Sequence, residues 1–255
     1  MLEIFAVQIN TLENRKRTVR VYLPKDYEQT DTQYPVLYMQ DGQNVFDDKE
    51  ASFGVSWGLG EFLDKYNVPL IVVGIDCNHE WYNRFNEYGP WESREMGQIL
   101  LDEDISLGGE GKAYVEFLVH ELKPMIDARY RTLVNDTAIA GSSMGGLIST
   151  YAACVYPHIF KRVASLSSAY WFNQDELEAL IQTSDLSPIQ RFYLDVGTNE
   201  VTAKITPQIY VDSSKRVHQL LRSKIDCSFE IIEGAAHNEA AWRTRIMDIL
   251  EYLYI

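Results

Sequence analysis

Two near-continuous apolar runs, PVLYM at residues 35–39 and PLIVVGI at residues 69–75, most narrow the folds open to this chain. A strand with one wet face alternates apolar and polar side chains, whereas a strand apolar at nearly every position needs cover on both faces. Helices on both sides of a parallel sheet provide that cover. Helical patterns at residues 55–66, 111–130, 147–156, 209–224 and 239–253 alternate with short strand-like stretches at 137–141, 162–168, 191–197 and 228–234. Such alternation implies right-handed crossovers between parallel strands. Earlier, residues 17–24 (RTVRVYLP) set Val19, Val21 and Leu23 against Arg20 and Tyr22, the pattern of a half-exposed antiparallel strand. No low-complexity linker, repeat or shift in composition divides the chain. Residues 1–255 therefore read as one α/β domain: a mostly parallel central sheet, antiparallel N-terminal strands, and helices on both faces.

Residues 76–110 interrupt this rhythm. They carry Trp81, Tyr82, Phe85, Tyr88 and Trp91 with no clean period, and read as a long irregular loop inserted in the domain. So many aromatic side chains argue for order and for function.

The formal charge is −14, from 37 acidic and 23 basic side chains. That balance excludes a nucleic-acid binder, which needs a basic face. Cys77, Cys154 and Cys227 are odd in number and widely spaced, so they read as small buried hydrophobes in a reducing compartment. The N-terminal residues lack a basic start, and Glu3, Gln8 and Asn10 interrupt their apolar run, which is not the pattern of a signal peptide. A cytoplasmic location is the expectation, with no membrane partner.

The chemistry concentrates in AIAGSSMGGL, residues 138–147. Gly141-Ser142-Ser143-Met144-Gly145 fits G-x-S-x-G with Ser143 at its centre. That pattern serves a sharp strand-to-helix turn, in which glycines make room for a serine in a strained backbone. A strand-like stretch precedes it, and Leu147, Ile148, Tyr151, Ala152 and Val155 follow at helical spacing. Ser142 would need glycine at position 140, where the chain has Ala140, so Ser143 is the expected nucleophile.

A serine hydroxyl needs an adjacent base. Of the five histidines, His120 and His218 lie within helical patterns and His158 on a surface turn, while His79 falls in the aromatic segment, within reach of a substrate. His237 follows the last strand in a short Gly/Ala loop, where an imidazole reaches the carboxyl edge of the sheet. The third member should be a carboxylate between serine and histidine in chain order. RFYLDVGTNE offers Asp195, still inside the strand, and Glu200, in the loop beyond it; the geometry favours Glu200.

These residues resemble the esterase D–like branch of the α/β-hydrolases, a group that includes S-formylglutathione hydrolases, feruloyl esterases, siderophore trilactone esterases and mycolyltransferases. The similarity runs over nearly the whole chain: VYLPKDY, YPVLYMQDGQNVFD, RFNEYGPW, GSSMGG, SSAYW, DVGTNE and GAAHNEAAW follow in the family's order. The resemblance implies the α/β-hydrolase fold, with Glu200 at the acid position and His237 in the histidine loop. It also implies an oxyanion hole made by the backbone N–H groups of Gln43 and Met144. Many relatives have His-Gly where this chain has Asp41-Gly42, which leaves the role of Asp41 open.

The expected activity is that of a serine carboxylesterase, cleaving short acyl or aryl esters through a covalent acyl-enzyme on Ser143, with His237 as base and Glu200 behind it. Neither metal nor organic cofactor is called for. Trp81, Tyr82, Arg84 and Trp171 are candidates to line the substrate pocket, although Arg84 also stands three residues before Glu87, a spacing that suits an ion pair. A siderophore trilactone hydrolase, an S-formylglutathione-type thioesterase and an acyltransferase would use the same residues. A non-catalytic binding scaffold on this fold is the alternative from outside enzymology. The implied partner is a small-molecule ester, with homo-oligomerisation left open.

Overall fold

The computed structural model describes residues 1–202 and 204–254. In chain order its elements are β1 (Leu2–Ile9), β2 (Arg15–Tyr22), β3 (Tyr34–Gln40), α1 (Leu59–Tyr66), β4 (Ile71–Ile75), α2 (Asn83–Tyr88), α3 (Arg94–Leu101), α4 (Gly111–Phe117) and α5 (Lys123–Arg129). There follow β5 (Thr132–Ser142), α6 (Met144–Val155), β6 (Phe160–Leu166), α7 (Gln174–Thr183), β7 (Arg191–Asn199), α8 (Pro207–Leu221), β8 (Cys227–Ala236), α9 (Glu239–Arg243) and α10 (Ile246–Tyr254). The strands form one sheet in the order β1-β2-β4-β3-β5-β6-β7-β8. Pairings β1–β2 and β2–β4 are antiparallel, and those from β4 through β8 are parallel. This is the α/β-hydrolase architecture.

The apolar runs that open the sequence occupy β3 and β4, inside the sheet. Val36 and Tyr38 of β3 join the core on one face, whereas Leu37 and Met39 join the core on the other. The first core takes in Leu147 of α6, Leu177 of α7 and Val217 of α8, and the second takes in Leu63 of α1 and Leu250 of α10. Alternation along a strand thus feeds two cores, so no position is left for a polar side chain. Helix α6, directly behind the nucleophile candidate, is buried from Met144 to Cys154. Its Ser149 and Thr150 side chains return their hydroxyls to Gly145 O at 2.7 Å and Gly146 O at 2.9 Å, so the helix can be buried all round.

Four sequence expectations are corrected. The strand at 17–24 is not half-exposed: Arg20 and Tyr22 are buried along with Val19 and Val21. Tyr22 reaches the second core, and Arg20 is tied to Asp76 at 2.7 Å and Glu50 at 2.6 Å, so a charged residue sits on a covered face because two carboxylates meet it. Residues 76–110 are not an irregular loop, since they hold α2 and α3, helices of six and eight residues. Helix α1 starts at Leu59, not at residue 55, because Gly58 precedes it at φ 61°. The C-terminal helical pattern is split into α9 and α10, and the break allows Arg245 to turn inward to Asp195 at 3.1 Å. In addition, Cys77 and Cys154 are buried while Cys227 is only partly so, and all three are free thiols. Among the described residues no helix is long and apolar enough to cross a membrane.

One buried ion network fastens α2 to the sheet. Glu87, fully buried, meets Arg17 of β2 at 2.7 Å and Arg15 at 3.2 Å, and accepts from Asn78 at 3.1 Å. Removing one partner of such a pair strands the other charge in the interior. The Glu87→Leu variant should lose about 3–5 kcal/mol of unfolding free energy, measured by urea titration. A loss under about 1 kcal/mol would show that water replaces the carboxylate on Arg17.

Candidate active site

Ser143 stands alone between the last residue of β5 and the first of α6, at φ 57° and ψ −125°. A non-glycine residue with positive φ is strained by contact between its Cβ and the backbone, at a cost of about 1–3 kcal/mol. Hydrogen bonds hold it there. The Ser143 N–H donates to Leu166 O of β6 at 3.0 Å, and its carbonyl accepts from Gly146 N at 3.1 Å, Leu147 N at 3.2 Å and Ala169 N at 3.0 Å. The adjacent glycines are required by close approach: a Cβ on Gly141 would lie 2.5 Å from Gly145 O, and one on Gly146 would lie 2.0 Å from Ser168 Oγ. Ser142, by contrast, is an ordinary ladder residue opposite Leu166.

His237 lies in the turn between β8 and α9, and its Nδ1 is 2.6 Å from Glu200 Oε2. Glu200, fully buried beyond the end of β7, also accepts at Oε1 from Ser167 Oγ at 2.5 Å and Gly197 N at 2.6 Å. Ser167 Oγ in turn accepts from Trp242 Nε1 at 2.8 Å. The imidazole is flanked by the Trp242 ring, edge-on at 5.2 Å, and the Tyr210 ring at 4.8 Å. Carboxylate and imidazole are therefore both fixed in direction. Asp195, the other carboxylate considered, is committed elsewhere: it faces Arg245 at 3.1 Å and accepts from Tyr193 at 3.2 Å. Burial pushes its carboxyl up to about 7, against the pull of Arg245.

Met144 opens α6, so its N–H has no acceptor within the helix. Gln43 sits on a short 3-10 turn, Gly42–Asn44, directly after β3. Its side chain is spent on Cys77, accepting from the backbone N–H at 3.0 Å and approaching Sγ at 3.3 Å, which leaves the turn rigid. Burial and the charge of Asp41 push the Cys77 thiol far up, so it has no thiolate character.

Ser143, His237, Gln43 and Arg84 share one cavity of about 630 Å³. His79 also lines it, whereas His120 contacts Tyr156 at 3.3 Å and His218 packs on Phe229 at 4.8 Å. Of the pocket candidates read from the sequence, only Arg84 lines this cavity. Trp81 is 91% exposed at φ 52°, Tyr82 packs beside the main core before α2, and Trp171 packs edge-on to Tyr210 at 5.8 Å. Aromatic content marked the segment, but nothing in the sequence gave the direction of each ring. The wall residues the sequence reading passed over include Asn44, Phe53, Thr202, Glu239 and Trp242. Glu239 and Trp242 stood within the histidine segment GAAHNEAAW, which was the one signal for them. A second cavity of about 570 Å³, between Asp48, Glu61 and Arg243, contains neither Ser143 nor His237.

Arg84 does not pair with Glu87. Its guanidinium forks onto Asp41, Nε to Oδ1 at 2.7 Å and Nη2 to Oδ2 at 2.8 Å, and Tyr88 Oη accepts from the Asp41 N–H at 3.2 Å. Asp41 is itself at φ 54°, immediately before the Gly42–Asn44 turn. Burial pushes its carboxyl up, but the Arg84 charge and hydrogen bonds outweigh burial and hold it below the usual range.

Residues 9–253 match the model of the family described as "Putative esterase". The chain is similar to the uncharacterised protein YbbA of Bacillus subtilis (strain 168), 28% identical over 94% of this chain and 93% of that protein. It is 25% identical to the iron(III) salmochelin esterase of Escherichia coli O6:H1 over 93% of its own length, spanning 54% of that longer protein. Among solved structures, an IroE-like serine hydrolase from Shewanella oneidensis superposes with a TM-score of 0.78 at 19% identity, covering 100% of this chain and 80% of that one. A ferulic acid esterase superposes at 0.73 and 19% identity over 99% and 97%. At such identities the structures share the fold.

The Arg84→Met variant should lose about 2 kcal/mol in chemical denaturation near neutral pH, less than a fully buried pair because 29% of the Arg84 side chain is exposed. A depressed folded-state pKa contributes stability above the unfolded value and loses it as pH falls through the folded one. The gap between native and variant should therefore be full above about pH 5 and close as pH drops below 3.8, the ordinary aspartate value. A gap that widens on acidification would contradict this assignment.

Proposed function

The chain belongs to the esterase family, and from that membership and the cavity we propose that it is a serine carboxylesterase with Ser143, His237 and Glu200 as its triad. The observation that carries the reading is the 2.6 Å contact between His237 Nδ1 and Glu200 in the cavity that also holds Ser143 at its strained φ. Ser143 Oγ attacks the ester carbonyl while His237 Nε2 takes its proton, and Glu200 stabilises the imidazolium that forms. The Met144 and Gln43 N–H groups receive the developing oxyanion, each donor worth about 3 kcal/mol in the transition state. His237 then protonates the departing alcohol, leaving an acyl group on Ser143. Water repeats the steps and releases the acid. The residues supply nucleophile, base and oxyanion donors among themselves, so the steps call on no cofactor. The free thiols of Cys77, Cys154 and Cys227 support a reducing, cytoplasmic setting.

A siderophore trilactone hydrolase is the second reading, favoured by the likeness to iron(III) salmochelin esterase. Thioester hydrolysis and acyl transfer would run on the same three residues.

A fluorophosphonate probe should label Ser143, and Ser143→Ala should lower kcat toward an aryl acetate by a factor on the order of 10⁶. Near-normal turnover by that variant removes the proposal and revives the binding-scaffold alternative. Glu200→Gln should lower kcat by about 10⁴, as loss of the orienting acid does in such triads. Asp195→Asn should act on stability instead, changing kcat by less than about tenfold. The reverse ranking would move the acid to Asp195.

A further inference from the structure

Two carboxylates line the catalytic cavity among the described residues, and only one of them is neutralised. Asp41 is matched by the forked guanidinium of Arg84. Glu239 is 5% exposed, and its hydrogen-bond partner is the neutral Asn44 amide, Nδ2 to Oε1 at 2.7 Å. Among the described residues no lysine or arginine lies within 4.0 Å of it, and Arg84 is the cavity's one basic residue besides His79 and His237. The placement is close to the reaction. Asn44 follows the oxyanion candidate Gln43, and Glu239 stands two residues after His237, so the pair bridges the two loops on which the chemistry depends. Asn44 is held in turn by Ser52, whose N–H donates to Oδ1 at 2.9 Å.

Taking the esterase reading as its premise, we infer that Glu239 sets the charge of the ester this cavity takes: neutral and cationic esters enter, and anionic ones are rejected. A bound anion would add a like charge in a site with low dielectric and no free cation, whereas a bound cation would supply the partner Glu239 lacks. Burial pushes the Glu239 carboxyl above its ordinary range, with the nearby charge of Asp41 adding to the push and its own backbone N–H, Arg84 and His237 pulling the other way. At the mouth, Phe53 is 80% exposed and Val201 is 67% exposed, and both line the cavity. They present apolar surface suited to an uncharged acyl or aryl group.

The test uses the full chain and three aryl acetates that differ in one remote substituent: uncharged, trimethylammonium and sulfonate. Each kcat/KM is divided by that ester's rate of alkaline hydrolysis. The cationic ester should exceed the anionic one by about tenfold or more, with the neutral ester between them. Glu239→Gln keeps the shape and the acceptor for Asn44, and it should bring the ratio toward unity by about tenfold. Should Glu239→Gln not fold, Glu239→Ala also removes the charge and should move the ratio toward unity by about tenfold. Equal use of the three esters by the native chain overturns the inference, as does a ratio that removal of the Glu239 charge leaves unchanged. If Ser143 resists fluorophosphonate and the neutral ester is not cleaved, the failure belongs to the esterase reading itself. Labelling and cleavage without charge selectivity sink only the role of Glu239.

Discussion

A serine held at positive φ between a buried strand and a buried helix is the constraint on which the rest of the structure depends. Such a conformation persists only where its surroundings over-determine it. Here β6 supplies the acceptor at Leu166, the following segment supplies the donor at Ala169, and α6 is started by the Ser143 carbonyl itself. Each of these groups would otherwise be a backbone polar group without a partner. The strain is thus offset by hydrogen bonds that the fold needs anyway, and the side chain is left at the sheet's carboxyl edge.

The segment that pins the serine also reaches Glu200. Ser167, at φ 45°, lies two residues before Ala169 and passes a hydrogen bond from Trp242 to Glu200. Trp242 stacks on Trp57 at 6.0 Å, which connects the imidazole's environment to the second core. Below this chain lies Asp195, whose contact with Arg245 is less complete. Asp195 Oδ1 and all three guanidinium nitrogens of Arg245 lack aligned hydrogen-bond partners within the protein. A poorly aligned pair offsets burial only in part, which accounts for the raised Asp195 carboxyl. Glu200, three hydrogen bonds deep, is the better anchored of the two carboxylates.

How much of this was legible depended on whether the information was local. The runs at 35–39 and 69–75 gave the doubly covered strands, because two-faced burial is written in the strand itself. The elbow was legible through its glycines, and of Ser143, Glu200 and His237, read in chain order, the first and last line one cavity while Glu200 meets His237 from behind it. Arg20 misled because its cover comes from Asp76 and Glu50, 56 and 30 positions away. Helices α2 and α3 are too short to show a period, so their segment looked irregular. Trp81, Tyr82 and Trp171 could not be sorted, since an aromatic residue announces bulk without direction.

Asp41 shows what a single local difference demands of distant parts. A buried aspartate at the head of the Gly42–Asn44 turn must have a fixed cation, or its carboxyl would be protonated or drawn toward water. Arg84 meets that need from 43 positions away, and it can do so because α2 is itself fastened at its C-terminal end. Glu87 grips Arg15 and Arg17, Tyr88 takes the Asp41 N–H, and the Trp91 carbonyl accepts from Asn173 at 3.1 Å. Arg84 and Tyr88 thus converge on Asp41, Glu87 on β2, and the Trp91 carbonyl on Asn173, so the charged side chains of RFNEYGPW named here are already paired within the protein. What the segment does is hold Asp41, and with it the start of the Gly42–Asn44 turn that carries Gln43. Charge recognition is thereby moved across the cavity to the histidine loop, where Glu239 stands without a cation.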